Sequence, residues 1–176
     1  TGSAITITPQ WLEERQPVVT KEQAALDKAS KALQANEQAL PEKKANLVEK
    51  ADKITDKMVE KAARQRQTAS EQIDELRIKR QQVETELEPL SERLTELQTT
   101  LEKLTQFPRE VQTVAQNQEI SAVEQEIALI KPAVELDQQY LDILKAHTEV
   151  AIKQTLFAME WHSYLQTLPQ QQRLDE

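Results

Sequence analysis

The stretch from residue 73 to residue 104, IDELRIKRQQVETELEPLSERLTELQTTLEKL, decides the fold class. Positions spaced alternately three and four residues apart are apolar in nine of ten cases, and the exception is Arg80. A repeat of about 3.5 residues kept this long indicates an α-helix that packs an apolar seam against another helix. The spacing therefore predicts an all-α protein. The seam residues predicted here are Ile73, Leu76, Val83, Leu87, Leu90, Leu94, Leu97, Leu101 and Leu104.

A weaker form of the same repeat precedes this stretch. A leucine or isoleucine recurs at every seventh position, whereas intermediate positions such as Asn36 and Lys43 are polar. We therefore expect one long heptad helix over residues 20–107, starting at a capping box formed by Thr20 and Gln23. Kinks or breaks are expected near residues 41, 68 and 89, because Pro41 and Pro89 remove backbone hydrogen bonds and TASE, residues 68–71, offers an internal cap. The seam residues predicted in this part are Leu26, Leu33, Leu40, Leu47 and Ile54.

Short segments are expected at the beginning of the sequence. Thr8-Pro9 is a good helix start, and Pro17 is expected to end that helix, which gives a short segment over residues 5–19. Residues 1–4 include Thr1-Gly2-Ser3, which resembles a cloning scar, so we leave them out of the fold prediction.

The leucine seam stops at Leu104, and the residues that follow favour a turn. Phe107-Pro108 and the polar residues 116–118 place this turn over residues 108–118. A return helix is expected over residues 119–168, capped by Ser121 and Glu124, with a tail over residues 169–176. Its apolar residues form two stripes, so it should contact two neighbouring helices. The seam residues predicted in it are Ile120, Val123, Ile127, Ile130, Tyr140, Ile143 and His147.

Together these elements predict an elongated antiparallel helical hairpin or coiled coil. If residues 20–55 fold back, the hairpin becomes a three-helix bundle. If they project instead, their seam meets another chain, and the protein forms a homo-oligomer or binds another helical segment.

The composition excludes several classes of function. The single glycine is Gly2, and glycine-rich phosphate loops and nucleophile elbows need glycine within the fold. The chain has no cysteine and therefore no cysteine-ligated zinc. A net charge of −8 argues against a nucleic-acid partner, and no run of about 18 apolar residues is present that would span a membrane. Residues 42–67 are locally basic, and we interpret them as a solvated helix surface.

Few side chains are candidates for chemistry. His147 lies in an apolar stripe, where a packed and hydrogen-bonded core histidine is the expected role, and His162 is expected to be exposed. Acidic pairs such as Glu13-Glu14 point to different helix faces and do not form a catalytic dyad. We expect no catalytic residue, no metal and no cofactor.

Phe157, Trp161 and Tyr164 form an aromatic cluster near the end of the return helix. Tryptophan and tyrosine dominate the energetic centres of protein interfaces, so the cluster is a candidate interaction patch. The alternative is that these large residues close the end of a bundle, packed against Trp11.

Two stretches resemble a known family. SEQIDELRIKRQQVETELEPLSERLTELQTTL, residues 70–101, and SAVEQEIALIKPAVELDQQYLDILKAHTEVAIKQTLFAMEWHSYLQTLPQQQRLDE, residues 121–176, are similar to the first arm and the return helix of a periplasmic coiled-coil region. That region precedes the membrane channel in large MscS-type mechanosensitive channels of the MscK and MscM kind. The resemblance covers residues 64–176. It implies a periplasmic, helical, non-catalytic region tethered to the inner membrane.

Two functions follow from these observations. The first is a non-catalytic spacer or interaction module, in the periplasmic region of a mechanosensitive channel protein. The alternative is a stand-alone coiled-coil adaptor or scaffold in the cytoplasm, which the heptads support equally.

Overall fold

The computed structural model describes residues 6–175, apart from the side chains of Arg109 and of residues 171–175. Three α-helices make up almost all of this range: α1 is Pro9–Val48, α2 is Asp56–Leu104 and α3 is Val114–Asp175. Short 3-10 helices, Ala51–Lys53 and Arg109–Val111, lie in the two connections. The described residues contain no β-strand, so the predicted all-α class is confirmed.

Each helix begins after a threonine whose side chain caps its first turn. The backbone N–H of Trp11 donates to Thr8 Oγ1 at 3.1 Å, and that of Met58 donates to Thr55 Oγ1 at 3.3 Å. At α3 the cap is reciprocal, because Gln116 N donates to Thr113 Oγ1 at 3.1 Å and Thr113 N donates to Gln116 Oε1 at 2.8 Å. The threonine oxygens therefore satisfy N–H groups that have no partner within the helix.

The predicted single helix over residues 20–107 is wrong, because α1 ends at Val48 and α2 begins at Asp56. The separate segment predicted over residues 5–19 is also wrong, since α1 continues through Pro17 and through Pro41. Thr20 lies inside this helix, where its hydroxyl donates to the carbonyl of Gln16 at 3.0 Å. Burial of side chains such as Val19, at 1 % exposure, offsets the roughly 3 kcal/mol that an interior proline costs.

The later helices also differ from the prediction, since α2 lacks a predicted break and α3 is longer than the pattern predicts. α2 is unbroken at residue 68 and continues through Pro89. α3 begins at Val114 rather than residue 119, so Ser121 and Glu124 lie inside it, and it also includes residues 169–175 of the predicted tail. The predicted cloning scar and Glu176 lie outside the described residues.

The chain forms two compact units, and each unit contains a segment of all three helices. The first unit comprises Thr1–Glu22 and Arg80–Asp142, and the second comprises Gln23–Lys79 and Ile143–Glu176. Residues 23–48 therefore fold back within the second unit, and of the two predicted arrangements the bundle is the one formed.

The core of the first unit is a cluster of buried apolar side chains from α2, α3 and the residue Ile7 that precedes α1, and the half-buried Trp11 and Leu12 of α1 pack against it. Arg93 of α2 donates to both carboxylate oxygens of Glu126 of α3, at 2.9 Å and 3.0 Å. Further along, Arg15 donates to both Glu86 of α2 and Asp137 of α3, which brings these two residues close together. From the pair Arg93 and Glu126 to the pair Glu86 and Asp137, the residue number falls in α2 and rises in α3, so these two helices are antiparallel. The buried members of the cluster are Ile7, Leu90, Leu97, Val123, Ile130 and Ala133.

The core of the second unit is built around three fully buried leucines, one from α2 and two from α3. Leu76 and Leu144 are 0 % exposed and Leu165 is 1 % exposed. The short connection over residues 49–55 joins α1 to α2, as is typical of neighbouring antiparallel helices. None of the helices in residues 6–175 is both long enough and apolar enough to cross a membrane.

Candidate functional site

An ion cluster around the buried carboxylate of Asp137 links the three helix segments of the first unit. Arg15 of α1 donates from Nε to Asp137 Oδ1 of α3 at 3.0 Å and from Nη2 to Glu86 Oε2 of α2. The side chain of Asp137 is 0 % exposed, and those of Glu86 and Arg15 are 11 % and 21 % exposed. We call Arg15, Glu86 and Asp137 the Arg15 cluster.

Two aromatic rings hold the guanidinium of Arg15 in place. Its Cζ lies 5.1 Å from the ring centroid of Trp11 and 5.4 Å from that of Tyr140. Arginine suits this position better than lysine, since the planar guanidinium stacks on rings while its N–H groups reach two carboxylates.

Burial raises the pKa of Asp137 to about 7. The neighbouring Glu86 carboxylate adds to this rise through a shared hydrogen bond and its charge, and the positive charge of Arg15 opposes it. The Asp137 carboxyl therefore exchanges a proton near neutral pH. When it is protonated, the cluster has one positive and one negative charge and is neutral overall.

The candidate interaction patch of Phe157, Trp161 and Tyr164 lies in the second unit, against the end of α1. Tyr164 donates its hydroxyl to the carbonyl of Lys44 at 2.9 Å, and its ring stacks on Trp161 with centroids 6.0 Å apart. Lys43 Nζ lies 5.7 Å from the centroid of Trp161, and Lys44 Nζ lies 5.2 Å from that of Tyr164. Trp11, the neighbour expected for this patch, instead packs in the first unit.

Of the two histidines, His147 is 6 % exposed and packs in the second unit, at a position predicted for the core. His162 is half-buried rather than exposed. Within the described part of the chain, no three histidine, aspartate or glutamate side chains are placed to hold a metal ion.

The predicted seam residues all lie at buried or half-buried positions. The buried ones are Leu33, Leu76, Val83, Leu87, Leu90, Leu97, Val123, Ile130, Tyr140, Ile143 and His147. The half-buried ones are Leu26, Leu40, Leu47, Ile54, Ile73, Leu94, Leu101, Leu104, Ile120 and Ile127.

Sequence reasoning missed the Arg15 cluster, although two signals for it are present. Counting back from Leu26 in steps of four and three gives Glu22, Val19, Arg15 and Leu12, so the repeat begins before the predicted helix start. Asp137 lies seven residues from both Ile130 and Leu144, which places it at a core position of α3.

Comparison with known proteins gave no match, whether against family models, curated proteins or solved structures.

Proposed function

We propose that this chain is a non-catalytic helical module that acts as a spacer and binds other proteins. The observation that supports this most directly is the Arg15 cluster, in which one half-buried arginine joins a segment of each helix in the first unit. Such a connection resists sliding of one helix past another, because movement would separate a half-buried cation from the buried carboxylate of Asp137 and the half-buried carboxylate of Glu86. A module of this kind transmits position rather than performing chemistry.

The cellular context of the proposal comes from the resemblance of residues 64–176. On that resemblance, the proposal is a module in the periplasm, tethered to the inner membrane as part of a large MscS-type mechanosensitive channel. Its partner would be a protein, either another helical segment or a second copy of the chain. The alternative is a stand-alone adaptor or scaffold in the cytoplasm.

Sedimentation velocity over a hundredfold range of concentration tests the spacer role. The seam from Leu26 to Ile54 packs inside the second unit, so we expect a single species with the mass of one 20.2 kDa chain. A dimer that forms as concentration rises would contradict the spacer role and show instead that the partner is a second copy of the chain.

Protease accessibility tests the location. An epitope inserted into the connection over residues 105–113 of the whole gene product should be cleaved in spheroplasts and protected in intact cells. The same insertion into the connection over residues 49–55 is the matched control, and it should be cleaved and protected under the same conditions. Cleavage that requires lysis of the spheroplasts would refute the periplasmic location and favour the cytoplasmic adaptor.

A further inference from the structure

A groove in the second unit carries positive charge in an otherwise acidic chain. It has a volume of about 540 Å³, within the usual size of ligand sites, and segments of all three helices line it. Its cations are Lys43 of α1 and Lys61 and Arg64 of α2, and none of its described lining residues is an aspartate or glutamate. The chain as a whole carries 30 acidic and 22 basic residues, so this concentration of one sign is local.

The groove also has an aromatic side. Phe157 and Trp161 of α3 also line it, and Lys43 Nζ lies 5.7 Å from the centroid of Trp161. The ring fixes the ammonium at the groove edge through a cation–π contact. An anion that also carries an apolar group could therefore contact both the cationic side chains and the aromatic rings of the groove.

Side-chain amides from all three helices also line the groove. Asn36, Gln72 and Gln154 come from α1, α2 and α3. Gln154 Oε1 is buried and accepts no hydrogen bond from the described residues. An amide pairs with both the N–H and the C=O of a peptide backbone, so these side chains suit a polypeptide.

The length of the groove sets the size of its occupant. Lys61 and Gln72 lie on α2 at the two ends of the lining, and eleven helical residues span about 16 Å. An extended strand rises about 3.3 Å per residue, so about five residues of peptide match this length.

We propose that the groove binds a short extended peptide segment rich in aspartate and glutamate, supplied by a partner protein. The proposal rests on the proposed function as an interaction module and names the chemistry of its partner. Acidic side chains of the segment would pair with Lys61 and Arg64, its apolar side chain would pack on Phe157 and Trp161, and its backbone N–H would donate to Gln154.

Isothermal titration calorimetry with the full chain and the peptide acetyl-Glu-Glu-Phe-Glu-Glu-amide tests the proposal. We expect saturable one-to-one binding that weakens with added salt, and no binding of the same peptide with glutamine in place of glutamate. The double substitution Lys61→Gln and Arg64→Gln should weaken binding at least roughly tenfold, because each position loses a charge-assisted contact. Both side chains are exposed, so their loss leaves the core intact.

The matched control is Arg66→Gln with Lys153→Gln, which removes the same charge from the same unit outside the groove. Its affinity should equal that of the parent chain. Equal weakening by both double variants, or tighter binding of inorganic polyphosphate than of the peptide, would overturn the proposal in favour of unspecific attraction between charges. Gln154→Leu adds a second readout, since it should weaken binding without changing the salt dependence.

The outcome is separable from that of the proposed function. Neither the sedimentation mass nor the cellular location depends on Lys61 or Arg64. Absence of peptide binding would therefore refute the groove and leave the spacer role standing, whereas a cytoplasmic location would leave the measured affinity unchanged.

Discussion

Asp137 occupies a position in α3 that heptad spacing assigns to the core, seven residues from each of two buried apolar side chains. Its carboxyl pKa of about 7 lies above the ordinary value of 3.8, mainly because of burial. The folded state therefore holds a proton between these values that the unfolded state releases. Asp137 therefore contributes to the free energy of unfolding at acidic pH, and this contribution is lost as pH rises from about 4 to 7.

Asp137→Asn should flatten this dependence. Asparagine keeps the shape of the side chain and cannot ionise, so the parent should lose stability relative to the variant as pH rises from 5 to 8, by an amount on the order of a few kcal/mol at most. Urea unfolding at several pH values measures the difference. Asp142→Asn, at an exposed position, is the control and should follow the parent. Parallel curves for the parent and Asp137→Asn would show that Asp137 is ionised throughout.

Arg15→Met should destabilise the chain by roughly 3–5 kcal/mol at pH 8, because it leaves the buried carboxylate of Asp137 and the half-buried carboxylate of Glu86 without their cation. Arg93→Met is the matched control, since Arg93 also joins two helices of the first unit through a carboxylate but is 49 % exposed. It should cost no more than about 1 kcal/mol. Similar urea midpoints for the two variants would mean that the Arg15 cluster contributes no more than a surface ion pair.

The separations along the chain explain why the Arg15 cluster could not be assembled from sequence. Arg15 pairs with residues 71 and 122 positions away, and no local spacing connects them. The core positions of Arg15 and Asp137 were detectable from the repeat. Their pairing was not, because it depends on how the three helices are arranged around one another.

At the scale of the helix, the start of α3 shows how polar spacing misleads. Ser121 and Glu124 have the same capping-box spacing as Thr113 and Gln116, and only the latter pair forms the box. The choice is made by the preceding residues, since Gln112 donates from Nε2 to the carbonyls of Leu104 and Phe107 at 3.3 Å and 2.9 Å and orders the connection.

Thr113→Ala should reduce the free energy of unfolding by about 1 kcal/mol, the usual cost of losing a helix cap. Ser121→Ala should change it by less than about 0.5 kcal/mol, because Ser121 is an exposed residue inside the helix. Chemical denaturation of both variants measures the two values. A larger loss for Ser121→Ala would place the start of α3 where the sequence pattern predicts it.

The helices themselves were predictable to the extent that their apolar repeat is strong. The strict register of residues 73–104 predicts both the helix and its buried side. The break over residues 49–55 was missed because it contains neither glycine nor proline, and Ile54 continues the seven-residue spacing across it. At Pro17 the error was the reverse, because a helix end was predicted and α1 continues through this residue. Packing stabilises α1 there against the local propensity of proline.

At the scale of the whole molecule, neither unit is a continuous piece of the chain. The first unit comprises Thr1–Glu22 as well as Arg80–Asp142, and Arg15 lies in the shorter of these two pieces. A fragment limited to the longer piece therefore keeps Glu86 and Asp137 and loses their cation.

A fragment of residues 80–142 should be less helical by circular dichroism than the same residues in the full chain. Adding a synthetic peptide of residues 6–22 should restore helicity, because it supplies Arg15 and the apolar side chains of Ile7, Trp11 and Leu12. The same peptide with Arg15→Met is the control and should restore less. A fragment that is fully helical alone would show that α1 contributes little to the first unit.

The placement of the two tryptophans has an optical consequence. Trp11 stacks on Arg15 in the first unit, and Trp161 lies beside Lys43 in the second. The chain contains no other tryptophan, so each unit has its own intrinsic fluorophore. Emission from a Trp161→Phe variant reports on the first unit alone, and emission from Trp11→Phe reports on the second. The unfolding of each unit can therefore be followed by the fluorescence of its own tryptophan, without any attached dye.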